Sequence, residues 1–120
     1  MGRTITSATL LQRFDDQDRL VEETQLTGGT PHGISKLWTS TGVLIGQARY
    51  RDGKLDGEAF TWNVMGQLIS KANYENGELH GQYQSWWDNG QEKESGLYVH
   101  DARAEPYVWY DHDGKVVQRK

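Results

Sequence analysis

The chain of 120 residues has no cysteine, only two prolines and two phenylalanines, and no excess of basic residues. Without cysteine it can form neither a disulfide framework nor a thiolate metal site. A formal net charge of −4 argues against a nucleic-acid binder, which carries a clustered basic face, and against attachment to an anionic membrane. No stretch approaches the ~20 apolar residues of a membrane span, and the N-terminus lacks the apolar core of a signal peptide. These absences predict a soluble, cytoplasmic protein.

Glycine and large aromatic residues are plentiful instead, with 14 Gly, five Trp and six Tyr, while hydrophobic residues make up 35% of the chain. High glycine with little proline favours many short strands joined by tight turns. Because the apolar area lies mostly on Trp and Tyr, which keep a polar edge, we expect a thin sheet with one packed face.

The sequence repeats itself every 24 residues. The equivalent positions form a tyrosine column, a tryptophan column and a glycine column: Leu26, Tyr50, Tyr74 and Tyr98; Trp38, Trp62, Trp86 and Tyr110; Gly42, Gly66, Gly90 and Gly114. A fixed period of this size indicates a stacked-repeat architecture, which usually presents an extended binding surface. We interpret these aromatic and glycine residues as structural.

Each repeat contains two turn motifs, such as Asp52-Gly53 and Met65-Gly66. Asp-Gly and Asn-Gly pairs are typical of hairpin turns, which need positive φ angles. The chain is therefore predicted to be all-β, an elongated single-layer antiparallel meander of stacked β-hairpins. We expect about nine strands and a rod roughly 40 Å long at ~4.8 Å per strand. A helix is considered only around residues 9–14.

Residues 1–13 are predicted to be an N-terminal segment that may be irregular, and residues 14–120 the repeat domain. The domain divides into a half repeat (14–25), three repeats (26–49, 50–73 and 74–97) and a degenerate capping repeat (98–120). Because side chains alternate across a sheet, equal sequence parity predicts that the tyrosine and tryptophan columns share one face. The other face should be mostly polar.

Two segments resemble MORN repeats: Tyr50–Trp62, YRDGKLDGEAFTW, and Tyr74–Gln91, YENGELHGQYQSWWDNGQ. The resemblance covers residues 26–120, is weaker after Tyr98, and is closest to a bacterial variant with a W-x-x-x-G-Q ending. It implies an elongated, twisted sheet of hairpins. Bacterial members of this kind are antitoxin-like or uncharacterised and supply no catalytic residues, and eukaryotic members are often scaffolds or membrane-junction modules. Fold by itself does not assign function.

Four large rings break the parity pattern and are our candidate partner-binding residues: Tyr83, Trp87, Tyr107 and Trp109. Earlier repeats carry Ser35, Ala59, Asn63 and Thr61 at matching positions. We expect an exposed patch on the polar face, since Trp and Tyr are favoured at interface hot spots. The alternative is that the N-terminal segment covers these rings, or that both faces are partly buried.

No catalytic, cofactor-binding or metal-binding residue is predicted. His32, His80, His100 and His112 match no metal-ligand spacing, so we interpret them as solvated turn residues. Paired-carboxylate chemistry needs a cleft, which a flat sheet lacks. The acidic run over residues 15–23 is either a solvated surface or a patch that attracts a basic partner, such as an RNA-acting toxin.

The expected function is that of a non-enzymatic protein-binding repeat module, such as an antitoxin or immunity-type protein that occludes a protein partner. The alternative is a structural scaffold that self-associates or attaches peripherally to membranes. A third hypothesis is an enzyme or a carbohydrate binder that uses exposed Trp rings.

Overall fold

The computed structural model describes residues 2–119 as one antiparallel sheet of twelve strands. The strands are β1 Arg3–Thr6, β2 Leu10–Phe14, β3 Leu20–Thr27, β4 Thr30–Trp38, β5 Leu44–Arg51, β6 Lys54–Trp62, β7 Leu68–Glu75, β8 Glu78–Leu79, β9 Gly81–Trp86, β10 Glu92–Val99, β11 Ala102–Tyr110 and β12 Val116–Arg119. They follow one another across the sheet in chain order, except that the short β8 pairs with β7 beside β9. The predicted all-β meander of hairpins is confirmed.

The sheet measures 46 × 31 × 17 Å, close to the predicted length, but it has more strands than expected. The additional strands are β1 and β2 at the N-terminus and the short β8. The helix considered around residues 9–14 is wrong, because Leu10–Phe14 forms β2 and pairs with both neighbours. Met1 and Lys120, the outer ends of the predicted N-terminal segment and capping repeat, lie outside the described residues.

The first turn of each repeat is a two-residue turn with positive φ at both positions. Asp52 and Gly53 have φ angles of 49° and 85°, and Asn76 and Gly77 have 53° and 88°. Such angles give a turn whose twist matches that of the flanking strands. In the capping repeat His100 and Asp101 adopt the same conformation without a glycine.

Hydrogen bonds between successive first turns tie the repeats together. The backbone N–H of Asp52 donates to Nδ1 of His32 over 3.2 Å, and that of His100 donates to Nδ1 of His80 over 3.2 Å. In the repeat between them, Oδ1 of Asp56 accepts from the backbone N–H of Asn76 over 3.2 Å. His32 lies in β4 and not in a turn, so the prediction of a turn residue is wrong there, and His80 lies between β8 and β9; both act as acceptors between repeats.

A β-bulge follows the second turn of every repeat. In the second repeat, for example, Thr61 pairs with Ser70 and Trp62 pairs with Leu68, so Ile69 is left out of the register. The equivalent bulge residues are Val21, Ile45, Ile69, Lys93 and Val117. Phe14 pairs with Leu20 as Trp38 pairs with Leu44, so the same register recurs beside the N-terminal second turn.

The tyrosine and tryptophan columns lie on opposite faces of the sheet, so the predicted shared face is wrong. Ala48 pairs with Ala59 and Gln47 pairs with Phe60, so each pair joins an even-numbered to an odd-numbered residue. Directly paired residues share a face. Parity therefore reverses across each two-residue first turn, and the bulge after each second turn reverses it at the other hairpins. We call the face with Tyr50, Ala48 and Ala59 the tyrosine face, and the face with Trp62 and Phe60, whose rings stack at 5.8 Å, the tryptophan face.

Burial is slight, as expected for a single layer. The buried apolar side chains are those of Leu26, Ala72 and Tyr107, joined by the polar Thr24 and Ser85. All five belong to the tyrosine face by register. No helix occurs among residues 2–119, and hence none that is long and apolar enough to cross a membrane.

Candidate functional site

A row of small side chains crosses the tyrosine face from β3 to β7. The row consists of Thr24, Ser35, Ala48, Ala59 and Ala72, each paired directly with the next. Its first two members are joined by a hydrogen bond of 2.8 Å between their hydroxyl oxygens. Four strand spacings of ~4.8 Å make this small-residue row about 19 Å long.

Larger side chains border the row and turn it into a shallow trough. On one side Tyr50 pairs with Leu55 and Tyr74 pairs with Leu79. On the other side lies Leu37, whose side chain is 42% exposed and stands opposite Gly46. The central part of the trough has a volume of about 240 Å³. This surface combines a methyl and hydroxyl floor with aromatic and aliphatic edges.

An aromatic cluster closes the C-terminal end of the trough. The Tyr98 ring lies edge-on to Tyr83 and to Tyr107, at 5.8 Å in each case, and Tyr107 lies 4.5 Å from Trp109. The guanidinium of Arg103 lies 5.1 Å from the Trp109 ring. Edge-to-face pairs of this kind add about 0.5–1.5 kcal/mol each beyond burial.

Glu94 connects this cluster to the neighbouring strand β9. It accepts a hydrogen bond of 2.9 Å from the Tyr107 hydroxyl and one of 3.2 Å from Oγ of Ser85. Burial raises the pKa of Tyr107, and the neighbouring Tyr98 and Glu94 raise it further. The pKa of Tyr83 is also raised, first by burial and then by the negative charge of Glu94. Both phenols therefore stay protonated, and Tyr107 serves as a donor.

The four rings predicted to bind a partner fall into different environments. Tyr83, Tyr107 and Trp109 lie on the tyrosine face beside Tyr98, so the predicted placement on the polar face, opposite that column, is wrong for the parity reason given above. Tyr107 is only 1% exposed, so it supports the cluster from inside. Tyr83, Trp87 and Trp109 are half-buried, which leaves part of each available for contact.

Trp87 occupies a position that other repeats use to cap the second turn. The side chains of Asp15, Thr39, Asn63 and Asp111 accept a hydrogen bond from the backbone N–H four residues later, at 3.0–3.1 Å. An indole cannot accept such a bond, and Asn89 instead caps this turn through the N–H of Gln91 at 2.9 Å. Trp87 Nε1–H donates to the carbonyl oxygen of Tyr110 over 3.3 Å.

A cation and an imidazole pack against this indole. The His112 ring stacks on Trp87 with a centroid distance of 3.8 Å and an interplanar angle of 27°. Lys93 Nζ lies over the ring, 4.7 Å from its centroid. The sequence indicated Trp87 by its departure from Asn63, but not Lys93, because the bulge that brings it there is seen only in the strand register.

Beside Trp87 lies a groove of about 720 Å³. We call it the Trp87 groove. Its lining combines the rings of Tyr83, Trp86, Trp87 and His112 with the polar side chains Ser85, Asp88, Asn89, Lys93 and Glu94, and with Ile69 and Ser70 of β7.

His80, His100 and Glu78 form a local cluster. The rings of His80 and His100 lie 4.7 Å apart, and Nδ1 of His100 is 3.2 Å from Oε1 of Glu78. Within the described part of the chain, no group of three or more His, Asp or Glu residues is arranged to hold a metal ion.

The N-terminal acidic run is largely paired with side chains of β1, β2 and its own turn. Asp15 accepts from Nε of Arg19 at 2.9 Å, Asp18 pairs with Arg3 at 2.8 Å, and Glu22 pairs with Arg13. Glu23 accepts from Nε2 of Gln12 at 2.8 Å. Because three arginines offset part of this charge, the run attracts a basic partner less than its five carboxylates alone would.

No protein-family model matches the chain, and no curated protein matches it. Its fold is similar to part of a crystal structure of TarM, with a TM-score of 0.51 and 14% sequence identity. The match covers 86% of this chain and 20% of TarM, so the chain spans about a fifth of that structure's length. At this identity the likeness concerns the fold alone.

Proposed function

We propose that this chain is a MORN-type repeat module that binds a protein partner along the tyrosine face, without catalysing a reaction. The observation that carries the proposal is the trough over the small-residue row. Its floor of Ala48 and Ala59 gives apolar side chains room to insert, and its edges of Tyr50, Tyr74 and Leu37 stand half-buried or exposed beside it. Trp and Tyr at the edge of a hydrophobic depression are typical of protein interfaces.

The size and chemistry of the trough suit a segment of polypeptide. A partner strand of about six residues, at ~3.3 Å per residue, would span its ~19 Å length. The lining offers methyl, hydroxyl and aromatic groups, which provide contact area and hydrogen bonds. If this surface occludes the partner, the chain is an antitoxin or immunity-type protein. This finer assignment is supported by the sequence resemblance, and a cytoplasmic location is part of it.

The test compares two arginine substitutions on adjacent residues of β5. Ala48→Arg places a bulky cation in the trough, and Gln47→Arg places the same side chain on the tryptophan face, where Gln47 pairs with Phe60. A photo-crosslinking residue at position 59 identifies the partner in a lysate of the native host, and binding is then measured with both purified proteins. We expect Ala48→Arg to weaken the complex at least tenfold and Gln47→Arg to leave it unchanged.

Circular dichroism and thermal unfolding control for the fold of each variant. Equal affinity of folded Ala48→Arg and wild type would exclude the trough as the binding surface. A stronger effect of Gln47→Arg would assign binding to the tryptophan face instead.

Self-association is the second candidate function, and it is favoured by exposed apolar residues on the two outermost strands. Ile5 on β1 is 46% exposed, and Val117 on β12 is 62% exposed. Such side chains on outer strands promote pairing with a further copy. Sedimentation over a hundredfold concentration range distinguishes this scaffold from a monomeric binding module.

A further inference from the structure

Two columns of the repeat change their chemical character together at the Trp87 groove. The capping position is Asp, Thr, Asn and Asp in the other second turns, but Trp at residue 87. The bulge position is Val, Ile, Ile and Val elsewhere, but Lys at residue 93. The exchanged residues contact each other, since Lys93 Nζ lies over the Trp87 ring. This repeat thus lacks the usual capping side chain at residue 87 and the apolar bulge residue, and it gains a cation held against an indole.

The groove is suited to a cation rather than to a sugar ring or an anion. The His112 ring already stacks on the indole, so a flat sugar ring would have to displace it, whereas a cation need only take the place of Lys93. An anion would meet the carboxylates of Asp88 and Glu94, which line the same groove. A cation would gain from the carboxylates and from the indole ring, whose face attracts positive charge.

Lys93 itself is weakly held. It is the bulge residue, because its neighbours Glu92 and Glu94 pair with Trp86 and Ser85 while Lys93 has no partner in the register. Among the described residues, no carboxylate lies within ion-pair distance of its ammonium group. Its contact with the Trp87 ring is of a kind that shifts the equilibrium towards the bound position of the side chain only a few-fold. When Lys93 swings out, the indole and the two groove carboxylates become available to another cation.

We propose that the Trp87 groove receives a lysine or arginine side chain of the bound partner, and that Lys93 is an internal cation that the partner displaces. This inference rests on the proposed protein-binding function and specifies the chemistry of the partner. The net charge of −4 favours the approach of such a basic segment. The groove adjoins the aromatic cluster at the end of the trough, since Tyr83 and Glu94 belong to both. One partner segment could therefore occupy trough and groove together.

The test uses Lys93→Ile, because isoleucine stands at the equivalent bulge in two other repeats and should be tolerated. The charge-matched control is Lys54→Ile, which removes one cation from an exposed position at the start of β6. The probes are a labelled hexalysine peptide and the same peptide with every lysine acetylated, titrated in fluorescence anisotropy. Trp87→Phe provides a second variant with a smaller ring.

We expect hexalysine to bind and the acetylated peptide not to bind. Lys93→Ile should tighten hexalysine binding about two- to fivefold relative to Lys54→Ile, because it removes the competing cation. Trp87→Phe should weaken it.

Equal affinities of Lys93→Ile and Lys54→Ile would mean that only the overall acidic charge attracts the peptide, and the inference would fail. Absence of hexalysine binding up to millimolar concentration would overturn it as well. Either result leaves the trough test with Ala48→Arg unaffected, so the two proposals fail separately.

Discussion

The Tyr107 ring occupies the space that a side chain at residue 96 would need. A Cβ atom built on Gly96 would lie 2.2 Å from Cδ2 of Tyr107, far inside van der Waals contact. Gly96 pairs directly with Tyr107, and the equivalent pair two repeats earlier is Ala48 and Ala59. Absence of a side chain at residue 96 therefore allows the most buried ring of the protein to pack flat on the sheet.

Gly96→Ala should destabilise the protein by about 1–3 kcal/mol, the usual cost of overpacking. Urea unfolding measures the loss. In a Tyr107→Ala background the same substitution should cost little, because the clash is gone and coupled residues are not additive. Gly46→Ala is the control, since its added Cβ would meet only the flexible Leu37 side chain at 3.4 Å. Additive costs in the double variant would contradict this account.

Glu94→Ala should destabilise the fold by about 1–3 kcal/mol, because it leaves the hydroxyl of buried Tyr107 without its acceptor. Glu94→Gln keeps an acceptor oxygen and should cost less. Chemical denaturation of both variants, repeated in a Tyr107→Phe background, isolates the hydrogen bond. If Glu94→Ala and Glu94→Gln lower the free energy of unfolding equally, the carboxylate does not stabilise the fold by accepting this hydrogen bond.

Asp15 should make stability depend on pH below about 4. The backbone N–H groups of Arg19 and Gln17 lower its pKa from 3.8 to about 2. A group whose pKa is lower in the folded state stabilises the fold above its unfolded pKa and loses this effect as pH falls towards the folded value. Thermal unfolding between pH 5 and pH 2 should show a steeper loss for wild type than for Asp15→Asn. A difference in stability between wild type and Asp15→Asn that does not change with pH would count against this role.

His80→Ala should cost about 0.5–1.5 kcal/mol, because the backbone N–H of His100 loses its acceptor. His80→Asp should retain most of the stability, since Asp56 accepts the equivalent bond from Asn76 in the preceding repeat. Thermal unfolding of both variants distinguishes an acceptor between turns from a stacking role against the His100 ring. Equal loss in both variants would favour stacking.

The period of the sequence predicted the fold because turn chemistry is local. Asp52-Gly53 and Asn76-Gly77 specify positive φ angles without help from distant residues, and their spacing sets the strand lengths. Equal parity does not mark one face across a hairpin, because the pairing of Ala48 with Ala59 joins residues of unlike parity. For the same reason Tyr83, Tyr107 and Trp109 lie on the tyrosine face. Only part of the candidate site was therefore predictable. Trp87 was indicated by its departure from the repeat, and Lys93 and Glu94 were not.

The sequence by itself determined the repeat, the turns and the strand order, since each follows from residues a few positions apart. Tertiary structure alone decided which residues meet across strands. The bulge brought Lys93 over Trp87, the absent side chain of Gly96 admitted Tyr107, and the hairpin register aligned the small-residue row. These relationships depend on register and on the space between neighbouring strands, which a periodic pattern along one chain does not specify.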